Sequence, residues 1–351
     1  MDSGIMRLKR FLDKYDTVIF DMDGVITSEQ NYWNCAALTV WEYLNLEEGI
    51  GVHPELYVKN EDIDNVRKRV FFNDLIIREL KNKGVNSNWD LGYVTVLITW
   101  ICEGIDGWSD FSSTLTYAKE KLGDNIIDEY DRLAKECSEK TGIKYERLIR
   151  GGSMWKEMCD IFQQWFLGDK LFEEWFGYKP RFEGKTGLIY NEEPLINKQK
   201  LVDILRLLSA DKRVCTGTGR PRVEMIRPLD MWDIKKYFAP DGLCNYDHVV
   251  AAEKVLNNNA LTKPHPYMFL KALYGTDYDD KKLISGDYDK DKIKTTLVVG
   301  DAGADILAAK AMGVDFCAVL TGIQGEAARP YFEDMGAEYI LNSVEDFLEE
   351  N

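Results

Sequence analysis

The chain has 351 residues, 60 of them acidic and 44 basic, for a formal net charge of −16. Apolar residues make up 45% and charged residues 30%, the balance of a globular protein rather than a disordered one. The acid excess argues against a nucleic-acid binder, which normally carries a basic face, and against docking on anionic lipid. It is spread along the chain, −8 over residues 28–190 and −8 over the remainder, and so reads as a solvated surface.

The start, MDSGIMRLKRFLDKYD, is charged and lacks the apolar run of a signal peptide. Seven cysteines (35, 102, 137, 159, 215, 244 and 317) are scattered without a CxxC pair, which suggests reduced thiols and a cytoplasmic protein. Three histidines (53, 248 and 265) leave little material for a histidine-based zinc site or triad. The first predicted strand is Thr17–Asp21, TVIFD, apolar and ending in an acid.

A different texture follows. Residues 28–190 hold eight of the nine tryptophans, with Trp108 among them, but only two of the nine prolines, Pro54 and Pro180. Val66, Val70, Leu75, Ile76 and Leu80, and further on Trp155, Met158, Ile161, Phe162 and Trp165, recur at spacings of three and four. That pattern predicts a mostly helical block. Its longest apolar stretch, Val94–Cys102, is far short of the roughly 20 residues that span a bilayer.

Beyond the block, a helix is predicted over Lys198–Leu208 with Asn197 as N-cap, then a strand at Val214–Thr216. Thr296–Gly300 is a further strand, leading into a small-residue helix, Asp305–Met312, closed by Gly313; Phe316–Leu320 is another strand. The patch Asp277–Asp291, rich in Asp, Lys and Tyr, reads as a surface loop. Apolar strands alternating with helices predict an α/β fold: a Rossmann-like, three-layer α/β/α parallel sheet. The sheet domain is therefore discontinuous, residues 1–27 plus 191–351, with the helical domain 28–190 inserted after the first strand.

Ligands of such sheets bind beyond the carboxyl ends of the strands. Four polar clusters fall there: Asp21-Met22-Asp23-Gly24, Thr218-Gly219-Arg220-Pro221, Lys263-Pro264, and Gly300-Asp301 with Asp305 following. Each alone is ordinary. A DxD can be a turn, Pro221 can start a helix, and Asp301 and Asp305 can be helix-start acids. Gly217-Thr218-Gly219 begins like a dinucleotide fingerprint, but Arg222 stands where its last glycine belongs. Together and in this order they are hard to obtain by chance, and their residue types suit phosphoryl transfer, in which a carboxylate can serve as nucleophile and a hard cation relieves the crowding of acids.

The combination resembles the haloacid dehalogenase superfamily. The matching runs are FDMDGVIT (Phe20–Thr27), TGRPR (Thr218–Arg222), KPHPYMFLKAL (Lys263–Leu273) and VVGDAGADILAAKAMG (Val298–Gly313), with GAEYILNSVEDF (Gly336–Phe347) similar to the family's last strand and helix. The resemblance implies Asp21 as nucleophile and Asp23 as general acid–base. It implies magnesium held by Asp21, the Asp23 carbonyl, Asp301 and Asp305. Thr218, Gly219 and Gly24 would form the phosphate cradle, and Lys263 would neutralise charge. Thr216 competes for the threonine role. The inserted domain takes the place of the family's cap, longer than in the phosphoglycolate-phosphatase-like branch, and Glu29, Asn31, Tyr32 and Trp33 are its candidates for facing the site.

The implied activity is a magnesium-dependent phosphatase acting on a small phosphorylated metabolite. A haloalkanoate dehalogenase needs no acid at the position of Asp23. A β-phosphoglucomutase shares the DGVIT wording but would need a cap histidine where Tyr32 and Trp33 stand. A phosphonatase would need a Schiff-base lysine, for which Lys59, Lys68, Lys81 and Lys83 are available without a distinguishing context. A non-catalytic relative that binds a phosphometabolite is the alternative from another class.

Overall fold

The structure, a computed structural model, describes residues 6–46, 62–85, 87–105, 110–258 and 260–349. His53, Pro54, Lys59 and Trp108 lie outside the described residues. The chain divides into two compact units, Met1–Ser28 with Glu192–Asn351, and Glu29–Asn191. Each crossing falls one residue beyond the boundary read from the sequence.

The first unit is built on six parallel strands in the order β3-β2-β1-β4-β5-β6. They are β1 Thr17–Phe20, β2 Arg213–Gly217, β3 Leu243–Cys244, β4 Thr296–Gly300, β5 Asp315–Val319 and β6 Tyr339–Leu341. The register Phe20↔Thr216 and Phe20↔Val299 brings the carboxyl ends of β1, β2 and β4 level. Alternate residues feed two cores. Val18, Phe20, Val214, Leu297 and Val299 pack with Leu201, Ile204, Leu205 and Leu208 on one face. Ile19, Cys215, Val298 and Phe316 pack with Phe269, Leu270, Ile306 and Ala309 on the other. This is the three-layer α/β/α sandwich expected from the strand pattern.

Local chemistry sets the helix ends. Asn197 caps Lys198–Leu208 by accepting from the Gln199 and Lys200 amides, and Gly313, at φ 84°, closes Gly303–Met312. Three elements differ from expectation. β3 has only two residues, too few for any periodicity to show. Asp277–Asp291 contains one short helix, Asp280–Ser285, capped by the Asp279 side chain on the Lys281 and Lys282 amides, and ends where a second, Asp291–Lys294, begins. After β6 the chain makes a 3₁₀ turn, Val344–Phe347, because the Ser343 cap starts only one turn before the extended Leu348.

The second unit is helical. Asn88–Glu103 is buried on all sides from Asp90 to Ile101, as befits a helix that is apolar all round. Among the described residues no helix is long and apolar enough to cross a membrane. The run Val66–Leu80 is two helices, Ile63–Val70 and Leu75–Asn82, because Phe72, Asn73 and Asp74 all take positive φ between them. Gly168 (φ 75°) likewise interrupts Ser153–Phe176. A buried ion pair, Lys185 to Glu42 at 3.0 Å, sits in this unit beside Trp165, whose Nε1 donates to the same carboxylate at 2.7 Å.

Leu205 is fully buried beneath the sheet. Leu205→Ala is expected to cost about 2–5 kcal/mol, the range for deleting a core leucine. A fall in the urea midpoint of the sheet unit, with unchanged slope, checks this.

Candidate active site

Four loops converge at the carboxyl ends of β1, β2 and β4. β1 ends at Phe20, and the Asp21 amide still bonds Val299 O at 2.9 Å, so the sheet itself fixes the aspartate backbone. The next residues fold back tightly: the Ile26 and Thr27 amides both donate to Met22 O at 2.8 Å, and the Gly24 amide donates to Thr27 O at 2.8 Å. The turn requires Gly24 at φ 75°, and a Cβ there would stand 2.1 Å from Asp301 Oδ2. Gly322 makes the same allowance on another side of that carboxylate, at 2.3 Å.

The centre of the cluster is Lys263. Its Nζ lies 2.8 Å from Asp21 Oδ1 and 2.9 Å from Asp305 Oδ1. The ammonium also stands 4.8 Å over the Phe269 ring, a cation–π contact. Asp305 is held from behind, its Oδ2 accepting the Ala302 amide at 3.2 Å at the helix start. Asp21, Asp301 and Asp305 each offer a carboxylate oxygen, all within 4.8 Å of one another.

The electrostatics follow. Burial, opposed by Lys263 and reinforced by Asp305 and Asp23, pushes the Asp21 carboxyl up to about 7. Burial disfavours the Lys263 charge as well, but Asp21 and Asp305 outweigh it and hold the lysine above its usual range. One ammonium thus faces three clustered carboxylates. A hard divalent cation with oxygen ligands fits that donor set, and the absence of a side chain at Gly24 and Gly322 leaves room for the Asp301 carboxylate within it.

On β2, the Thr216 hydroxyl donates to Phe20 O at 2.8 Å and so is spent inside the sheet. Thr218, one residue past the strand end, accepts the Arg220 amide at 3.2 Å on its hydroxyl oxygen, which leaves a proton to donate. Of the two threonines, the geometry favours Thr218. Gly219 is exposed next to it, with nothing within 4 Å of an added Cβ. His265, beside Lys263, is a local structural group whose Nδ1 accepts the Tyr267 amide at 3.1 Å.

Asp23 points to a second buried centre that sequence reasoning missed. Arg220 reaches Asp23 Oδ1 at 2.7 Å and Glu192 Oε1 at 2.7 Å. Arg220 lay within a quoted motif but had no assigned role, and Glu192, far from every motif, carried no local signal. Burial pushes the Glu192 carboxyl up, against the pull of Arg220.

The proposed cap residues are engaged within the helical unit. Glu29 pairs with Lys81 at 2.7 Å, Tyr32 stacks on Phe166 at 4.5 Å, Asn31 donates to Leu188 O at 3.3 Å, and Arg67 lies over the Trp33 ring at 4.9 Å. Of the lysines considered for a Schiff base, Lys83 donates to Leu122 O at 3.0 Å, and Lys68 is exposed.

Residues 260–347 match the family described as HAD-hydrolase-like. That stretch, which carries Lys263, Asp301 and Asp305, is similar to the haloacid dehalogenase-like hydrolases. A crystal structure solved as a structural genomics target, whose description names no activity, is 26% identical, covers 94% of this chain and 97% of its own, and superposes with a TM-score of 0.78. That likeness therefore takes in the helical unit as well. A haloacid dehalogenase-like family hydrolase from Streptococcus pneumoniae is 13% identical, with 94% and 95% coverage and a TM-score of 0.42. A haloacid dehalogenase-like protein of unknown function from Agrobacterium tumefaciens is 14% identical, with 95% of each chain covered and a TM-score of 0.42. No curated protein matches the chain.

Gly24→Ala is expected to destabilise the sheet unit by about 2 kcal/mol or more, since the left-handed backbone alone costs alanine roughly 1–2 kcal/mol before the collision with Asp301. Gly219→Ala, in open space, is expected to stay within about 0.5 kcal/mol of the parent. Urea unfolding of both variants side by side measures the contrast.

Proposed function

We propose that the chain is a magnesium-dependent phosphomonoester hydrolase acting on a small phosphorylated metabolite through a phosphoenzyme on Asp21. The observation that carries this reading is the buried Lys263 joining Asp21 to Asp305, with Asp301 alongside, at the carboxyl end of the sheet.

In the first step an Asp21 carboxylate oxygen attacks phosphorus. The bond from phosphorus to the leaving oxygen breaks, and Asp23 gives that oxygen a proton. In the second step water attacks the aspartyl phosphate, Asp23 takes the water's proton, and the Asp21 carboxylate is released with inorganic phosphate. The Asp21 amide bond to β4 and the contact with Lys263 hold the nucleophile in one direction, so little of the barrier goes to orienting it. Lys263 offsets charge on the nucleophile and the incoming phosphoryl group. The Thr218 hydroxyl and the Gly219 amide would donate to phosphoryl oxygens. Magnesium, held by Asp21, the Asp23 carbonyl, Asp301 and Asp305, would supply neutralisation of the phosphoryl charge.

Two experiments test the reading. The purified protein with magnesium is expected to release phosphate from a panel of sugar phosphates, nucleotides and small acid phosphates, and Asp21→Asn to abolish release. Phosphate release by Asp21→Asn at the parent rate, or silence of the parent with every substrate, would sink it.

The second concerns pH. Asp21 is raised from its ordinary 3.8 to about 7. Its protonated form therefore favours the folded state, fully below the ordinary value, and that contribution is lost as pH rises through about 7. A cation needs the ionised carboxylate. Added magnesium is thus expected to raise the melting temperature at pH 8 and to raise it less at pH 6. An equal gain at both pH values would show that the cation does not engage Asp21.

A further inference from the structure

Arg220 is 2% exposed, and its guanidinium is committed on every edge. Nε lies 3.1 Å from both Asp23 oxygens, and Nη2 lies 2.7 Å from Asp23 Oδ1. On the far side Nη1 donates to Glu192 Oε2 at 2.9 Å and Nη2 to Glu192 Oε1 at 2.7 Å, a two-point pairing that fixes the plane of the fork. Nη2 also reaches Thr27 Oγ1 at 3.0 Å, and Nη1 reaches Glu224 O at 3.1 Å. The Thr27 hydroxyl in turn donates to Asp23 Oδ1 at 3.0 Å.

This network treats the two oxygens of Asp23 differently. Oδ1 receives Nη2, Nε and the Thr27 hydroxyl, whereas Oδ2 receives the shared Nε contact among the described residues. The Asp23 side chain is 24% exposed, while those of Arg220 and Glu192 are 1% and 2% exposed. Glu192 is thus walled off from any substrate and cannot exchange a proton with one directly.

We propose that Arg220, locked in plane by Glu192, is a positioning residue for Asp23, holding Oδ1 inward so that Oδ2 is the oxygen presented to the leaving group and then to water. This rests on the phosphatase reading, in which Asp23 is the general acid–base. Neither residue touches the phosphoryl group; both act through Asp23. A small rotation of the guanidinium would carry Oδ2 away from its proton-transfer position, and misplacement by about 1 Å can cost on the order of 100-fold in rate.

The test uses the full chain with magnesium, and p-nitrophenyl phosphate and phenyl phosphate as probes. Nitrophenolate leaves without needing a proton, whereas phenolate leaves far better with one. In Glu192→Gln, kcat on phenyl phosphate is expected to fall about 10- to 100-fold with KM little changed. On p-nitrophenyl phosphate the first turnover should keep the parent rate. A slower steady state should follow, seen as a burst of one nitrophenolate per enzyme, because water activation still needs Asp23. Asp23→Asn with Glu192→Gln should be no slower than Asp23→Asn alone, the non-additivity of residues that act as one unit. Parent rates in Glu192→Gln, equal losses on both probes in the first turnover, or additive losses in the double variant would overturn the proposal. Should Glu192→Gln fail to fold, Arg220→Lys keeps the buried charge but not the fork. It is expected to give the same dependence on leaving group, and parent rates there count equally against the proposal. Failure of the underlying reading looks different: the parent is then inactive, or Asp21→Asn stays active.

Discussion

A single buried ammonium organises the sheet unit's working end. Lys263 is largely withdrawn from solvent, its side chain 9% exposed, and burying an unpaired charge would cost several kcal/mol. It is tolerable only because Asp21 and Asp305 close on it at 2.8 and 2.9 Å and the Phe269 ring faces it. Those partners come from the ends of β1 and β4, so the ion pair ties two adjacent strands to the segment before Tyr267–Tyr274. The pairing is incomplete by design of its charges. Three carboxylates cluster around one lysine, and burial, reinforced by Asp305 and Asp23 and only partly offset by Lys263, raises Asp21 to about 7. A divalent cation would close that gap, which is the physical ground on which the metal reading stands.

The same accounting changes the meaning of the chain's acidity. At −16 the protein as a whole repels polyanions, yet under the proposed reading a small phosphate would be recruited by local groups, not by net charge. Lys263 stands against Asp21, beyond the end of β1, and Thr218 just beyond the end of the adjacent β2, where a low dielectric would strengthen each of them. Elsewhere acids are neutralised pairwise or solvated, as in Arg132 with Glu129 and Glu136 on one helix face.

What the sequence made legible was whatever depends on local chemistry. The buried strands β1, β2, β4 and β5 show as short, mostly apolar runs, and Asn197 and Gly313 mark helix ends because capping is a property of one or two residues. Asp21, Asp23, Asp301 and Asp305 stood out because they follow strand ends, and Lys263 because it stands with Pro264 just before a helix. What could not be read were interactions with no local signature. β3 is two residues long and exists through its pairing with Thr216 and Gly217. The break at Phe72–Asp74 lies inside an unbroken helical spacing. Glu192 is an ordinary acid in an Asn-Glu-Glu-Pro run until the fold sets it against Arg220.

The Arg220 centre also bears on how a sheet unit accommodates so long an insertion. The chain leaves after Ser28 and returns at Glu192. Inside the sheet unit the two crossing strands of chain are bound to each other, the Leu195 amide to Ile26 O at 2.9 Å and Thr27 to Pro194 as a bridge. Arg220 then bonds Thr27 on the outgoing side and Glu192 on the returning side. With its ends pinned side by side, the insertion presents the sheet unit with a closed loop. The entropy of closing a loop grows only logarithmically with its length, by about 0.6 kcal/mol per doubling, so the size of the insertion weighs little on the sheet. The consequence for chemistry is that Asp23 shares its anchor with both crossings. Whatever shifts those two short segments against each other is felt first at the guanidinium, and through it at the carboxylate that the proposed reaction needs held still.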